Sequence, residues 1–277
     1  MPVEAILRAV LEPLEFAFLR DALLAAVAVA VVSGVVGTFT VVRGMAFFAD
    51  AVAHAVVPGV AVAFLWAGGG EALFWGALAG ASVAAVAVHA VQRGGKVQPD
   101  TAIGVVMAAA LAVGVAIIST RRTYTVDLAH VLFGNILGVT RADLVRLALS
   151  GAGVVGATLV LFRPLSLVAF DPVLAATLGI RVAWVEYATM ALVALAAVLA
   201  LQTVGVTLTL AALVTPAASA RLVARRIGPM MAWSVAFSVA AAVVGVYGSY
   251  YLSIPSGPAI VVALTAIFAG ARLAVRS

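Results

Sequence analysis

The 277-residue chain contains no cysteine. That excludes disulfides, and it excludes the thiolate ligands preferred by soft metals such as copper(I). Charge is scarce as well: only 10% of residues are Asp, Glu, Lys or Arg, against 65% hydrophobic. A soluble domain carries roughly 25% charged residues, so this composition belongs to a protein that crosses a membrane many times. Lysine occurs once, as Lys96 behind Gly94 and Gly95. A phosphate-cradling P-loop needs Gly, four spacers and then Gly-Lys-Ser/Thr, but position 90 is Ala and position 97 is Val. The polypeptide is therefore read as non-enzymatic, with any ATP hydrolysis left to a separate chain. The net charge of +5 comes from arginines scattered between apolar blocks, a pattern of membrane topology signals and not of nucleic-acid binding.

What is present is a series of long apolar runs. A hydrocarbon core of about 30 Å needs roughly 20 helical residues. Residues 22–42, 51–70, 72–92 and 101–120 supply four charge-free runs of that length, and 147–162 a shorter fifth that can borrow from its flanks. The uncharged stretch 187–220 is too long for one span, which predicts a tight hairpin near Gln202-Thr203-Val204-Gly205. Residues 227–271 are split by the turn-rich segment 247–258 into two more. Residues 1–21, with Glu4, Arg8, Glu12, Glu15, Arg20 and Asp21, read as an interfacial amphipathic segment and not as a cleaved leader. The fold expected is all-α: a polytopic helix bundle of about eight to nine spans, treated as one domain over 1–277. It would lie in the cell membrane, in contact with lipid and without nucleic acid. Residues 126–140 are too few to cross comfortably and predict a re-entrant segment, and the distribution of Arg and Lys does not choose between dipping and crossing. Arg163, Arg181, Arg221, Arg225, Arg226, Arg272 and Arg276 share one face either way, which should be cytoplasmic.

Two local patterns carry chemistry. Asp50 and His54 lie four residues apart in an apolar run that continues to Pro58-Gly59. On a helix this places a carboxylate and an imidazole on one face, one turn apart. Ionisable groups inside a membrane segment are expensive and mark substrate paths by default. One hard oxygen and one nitrogen make the beginning of a divalent-metal site. The alternative is a helix-end acid beside a core histidine. Pro58 cannot donate a backbone hydrogen bond and so frees a carbonyl at or next to His54, as a hinge or a further oxygen ligand. The second pattern lies in the polar interruption 163–181. There Asp171 can cap a helix, Pro172 suits its first position and Gly179 suits the residue after its last turn. Its apolar residues Val173, Leu174 and Leu178 fit a plug for a partner's groove, or a connecting loop on the membrane surface.

Four segments together resemble the permease subunit of the metal-ion (zinc, manganese or iron) family of ATP-binding-cassette importers. They are Asp50 to Gly59, Leu132-Phe133-Gly134-Asn135-Ile136-Leu137, Phe170 to Ile180, and Gln202 to Val206 through Pro216-Ala217-Ala218. The resemblance implies a homodimer, two cytoplasmic ATPase subunits and an extracytoplasmic metal-binding protein, with no permanently bound cofactor. It makes the 171–179 helix the element that docks into the ATPase and maps the metal position onto Asp50 and His54. Glu186, just inside the span after the docking loop, is the candidate further ligand, or else an interfacial acid partnered by Arg181. Asp127 and His130 are either an outer gating pair or packing groups of the re-entrant piece; His89 reads as a span-end side chain. The His130-to-Asn135 segment looks more like the manganese/iron branch than the zinc branch. The rival readings are an ion-coupled secondary carrier and a non-transporting scaffold.

Overall fold

The computed structural model describes residues 12–67, 71–92, 97–120 and 136–276, and every regular element among them is helical. The helices are α1 (Ala17–Val42), α2 (Ala46–Ala67), α3 (Glu71–Gln92), α4 (Pro99–Ser119), α5 (Arg141–Val160), α6 (Phe162–Phe170), α7 (Pro172–Thr177), α8 (Val182–Val204), α9 (Val206–Val223), α10 (Ile227–Leu252) and α11 (Ser256–Arg276). A short 3₁₀ turn, Ile136–Gly138, precedes α5. Eight of the described helices are long and apolar enough to cross a membrane, and α9 carries a shorter apolar core. In lipid this is forced, because only a helix or a closed barrel satisfies every backbone group internally.

Helix α1 is the axis of the bundle. It packs against α5, α8, α9 and α10, and most of its length is buried. Small residues permit this. A Cβ on Gly34 would fall 2.7 Å from the Val235 Cα in α10, and one on Gly37 would run into the Leu213 carbonyl of α9. Gly59 of α2 and Gly76 of α3 exclude each other's side chains in the same way. Buried threonines return their hydroxyls to the carbonyl one turn back, as Thr38 does to Gly34 at 2.9 Å and Thr209 to Gly205 at 2.7 Å. They add no unsatisfied polar group to the apolar interior.

The direction of each helix follows from what its ends touch. Arg43, at the end of α1, meets Glu186 and Thr189 near the start of α8. Near the end of α3, His89 packs against Tyr187, and Asp100 near the start of α4 shares a cavity with Arg43. In α5, Gly151 lies against Val32, and Phe162 just beyond it meets Phe39 edge-on at 6.0 Å, so this helix runs toward the Arg43 face. That face also carries Arg163, Arg181, Arg221, Arg225, Arg226, Arg272 and Arg276, which by the positive-inside rule should make it the cytoplasmic one. Helix α4 thus ends, and α5 begins, on the far face, the arrangement a dipping connection needs. Most of that connection, residues 121–135, lies outside the described residues.

The long uncharged stretch breaks at Gly205, whose φ of +84° and ψ of 167° suit glycine and separate α8 from α9. Helix α9 rises beside α1, with Leu213 against Gly37 and Arg221 donating to the Val41 carbonyl. Val206 therefore lies about 10 Å below Leu213, still level with the interior of α1. The reversal is made inside the bundle. Two boundaries differ from the expected ones. Helix α1 starts at Ala17, since Arg20 and Asp21 remain helical, and residues 162–170 form α6, burying Leu165 and Val168.

The α1–α9 contact makes a direct prediction. Gly37→Ala should lower the thermal midpoint of the purified protein in detergent, with overpacking costing on the order of 1–3 kcal/mol. Gly153→Ala, where an added Cβ meets nothing within 4 Å, should be neutral or mildly stabilising.

Candidate metal pair and docking helix

Asp50 and His54 occupy successive turns of α2, their side chains 27% and 26% exposed in the single chain. The His54 Nδ1 lies 2.9 Å from the Asp50 backbone carbonyl and 3.6 Å from the Asp50 Oδ1. A nitrogen that donates to a carbonyl carries the proton, so the lone pair of the neutral ring falls on Nε2. A backbone acceptor that fixes the tautomer is the usual outer partner of a metal-ligating histidine. One turn further, Pro58 lies within the helix and has no N–H for the His54 carbonyl. From its start at the Arg43 corner, α2 carries Asp50 about 6 Å and His54 about 12 Å along its axis.

Among the described residues no third His, Cys, Asp or Glu joins this pair. Glu186 is the fifth residue of α8 as Asp50 is of α2, so the two lie at comparable distances from the cytoplasmic ends of their helices. Its carboxylate is engaged elsewhere. Arg43 Nη2 donates to Glu186 Oε1 at 3.3 Å, and Nη1 donates to Thr189 Oγ1 at 2.9 Å. The expected interfacial partner, Arg181, is not the one found. A cavity of about 410 Å³ opens at this corner, lined by Arg43, Phe48, His89, Gln92, Asp100 and Glu186 among others. His89 packs against Tyr187 with tilted rings, centroids 4.1 Å apart, and its buried Nε2 has no hydrogen-bond partner. Asp127 and His130 lie outside the described residues. Arg43 and Thr189 are the site residues that sequence reasoning missed. The available signal was a lone arginine between two apolar runs, read only as a boundary.

Helix α7 is built as its punctuation implies. The Asp171 Oδ1 accepts from the backbone of Val173 at 3.0 Å and Leu174 at 2.9 Å, and Pro172 occupies the first turn of α7. At the other end Gly179 has φ +80°. The Ile180 N–H bonds back to the Ala175 carbonyl and the Gly179 N–H to Ala176, both at 3.0 Å, which is a Schellman motif. Ala175 is fully buried and anchors the helix, while Phe170, Val173, Leu174 and Leu178 present large exposed apolar side chains. Exposed apolar side chains on a helix capped at both ends are the kind of surface a partner's groove can take.

Comparison with known proteins agrees with this arrangement. The model of the ABC 3 transport family matches residues 15–274. The chain is 40% identical over 256 residues to the manganese transport system membrane protein MntC of Halalkalibacterium halodurans, covering 92% of this chain and 87% of that protein. It is 39% identical to the manganese import system permease protein ScaB of Streptococcus parasanguinis, covering 92% of this chain and 89% of that one. The solved structure of PsaBC from Streptococcus pneumoniae in complex with Fab superposes with a TM-score of 0.84 at 35% identity, over 98% of this chain and 95% of that one.

The caps of α7 can be tested in the isolated protein. Asp171→Ala should speed hydrogen exchange at the Val173 and Leu174 amides by about fivefold, for a lost cap of about 1 kcal/mol. Exchange in α10, which makes no substantial contact with α7 among the described residues, should stay the same.

Proposed function

Because the chain belongs to the ABC 3 transport family, we propose that it is the membrane-spanning permease of an ATP-driven importer whose cargo is manganese(II). The Asp50–His54 pair carries this reading: it is a carboxylate and a tautomer-fixed imidazole on one face of a membrane helix, with cysteine thiolates absent from the whole chain. Such a set accepts manganese, iron(II) or zinc, and intrinsic affinity alone would favour zinc over manganese. Manganese is preferred because MntC and ScaB, the named relatives, carry it, so the delivering protein must do much of the discrimination. Zinc and iron(II) remain family-level alternatives.

Two ligands do not complete a coordination shell. A homodimer that brings two Asp50–His54 pairs to a shared axis would supply four side-chain donors, leaving water or the His54 carbonyl to fill the rest. The metal is cargo, and no cofactor is held permanently. Alternating access follows from the layout. Partner ATPases close on ATP and carry α7 with them; α8, joined to α7 by four residues, moves next; and the path around α2 changes the face it opens to. Pro58 and Gly59 lie where α2 lacks one backbone hydrogen bond, which is the place for it to bend. Asp127 and His130 would act, if at all, at the outer mouth, fed by an extracytoplasmic metal-binding protein.

The test is uptake by proteoliposomes that hold the permease with its ATPase. Asp50→Asn and His54→Ala should each lower manganese uptake by more than the roughly 10- to 100-fold that loss of an outer-shell partner causes. The assembly should co-purify normally, and unchanged uptake in both variants defeats the site assignment. On the docking side, Gly179→Pro should release the ATPase, because proline cannot adopt the left-handed cap conformation. Co-purification at wild-type yield would overturn that role.

A further inference from the structure

The corner where α1 turns into α2 is built to be stiff. Gly44 N–H bonds to the Val41 carbonyl at 3.2 Å and Met45 N–H to Thr40 at 2.8 Å, so α1 ends in a closed Schellman turn and α2 starts one residue later. Arg43 sits at the head of this turn, with its side chain only 15% exposed. Its two guanidinium nitrogens are spent on one helix, α8, and on residues three apart there, Glu186 and Thr189. Residues so spaced share a helix face, so the planar fork grips α8 at two points and resists both sliding and rotation. Thr189 is buried and also bonds back to the Val185 carbonyl at 2.7 Å. On one side of this grip, Glu186 follows the Gly179 cap of α7 by seven residues. On the other, Asp50 follows Arg43 by seven.

We propose that Arg43 is the positioning residue that transmits movement of the docking helix to the metal pair, by clamping α8 to the α1–α2 corner through Glu186 and Thr189. The inference rests on the reading of α7 and Asp50–His54 given above. It assigns Glu186 to this clamp instead of to the ion. The clamp adds a charged link at the corner to the direct packing of α2 against α8. The other ionisable groups facing the corner cavity are His89 and Asp100, from α3 and α4.

The measured quantity is manganese transported per ATP hydrolysed, in proteoliposomes containing the whole importer. Arg43→Gln and Glu186→Gln should each lower that ratio by about tenfold, within the usual range of coupling between sites. The double variant should be no worse than Arg43→Gln alone, which already loses the bonds to both Glu186 and Thr189. The exchange Arg43→Glu with Glu186→Arg should recover part of the ratio. Thr189→Val, which keeps the ion pair and the volume, should give a smaller loss, and it decides the matter if the charged variants fail to assemble. An unchanged ratio in assembled Arg43→Gln overturns the proposal; so do losses that multiply in the double variant, an exchange no better than the single changes, or an unaffected Thr189→Val when it alone assembles. Asp50→Asn separates the two levels: if it abolishes uptake while the Arg43 variants couple normally, only the clamp fails. If uptake survives both Asp50→Asn and His54→Ala, the underlying site reading fails.

Discussion

Lipid tails are as apolar as leucine, so packing leucine on leucine gains little inside a bilayer, and helices must hold one another by close contact. In this chain that contact is made backbone to backbone. Gly34 and Gly37 let α1 press against α10 and α9, and Gly59 with Gly76 does the same for α2 and α3. Each contact fixes the depth of one helix relative to another to within a fraction of a turn. The depth of Asp50 and His54 is set in this way, since α2 is pinned by α3 on one side and by the closed turn from α1 at its end. The buried threonines enter the bundle already satisfied, each hydroxyl returned to a carbonyl of its own helix.

The apolar runs of the chain were legible because their boundaries are charges, and charges are costly in hydrocarbon. The break at Gly205 was legible for a related reason: too many uncharged residues stand in a row for one span. The docking helix could be read because its stop and start signals, Asp171, Pro172 and Gly179, act over single residues. The fold class and its family therefore followed from the sequence with little loss. The corner did not. Arg43 and Glu186 are 143 positions apart, and nothing local to either names the other. The nearer arginine, Arg181, was the natural guess, but the path of α8 carries Glu186 inward to the end of α1. Helix α6 was missed because Arg163-Pro164 reads as an interruption, although proline is tolerated within the first turn of a helix.

In the proposed mechanism the Asp50–His54 pair and the docking helix lie toward one side of the membrane. Asp50 lies about 6 Å along α2 from the corner, and α7 projects from the same face. Short distances suit a device that must convert the closing of two soluble subunits into a change around an ion. The longer the path, the more of a displacement is absorbed by side-chain adjustment. A charged clamp is favoured over an apolar one at this depth, because it is strong, directional and partly shielded from water.

The reversal at Gly205 bears on where the chain's two ends lie. Helices α8 and α9 leave the cytoplasmic face and come back to it, so together they cancel, whatever depth they reach. What remains is α1 to α5 with α10 and α11, an odd set of traverses. Ala17 and Arg276 consequently face different compartments. On the importer reading proposed above, a tag beyond Arg276 would lie on the same side as α7, and one ahead of Ala17 on the opposite side.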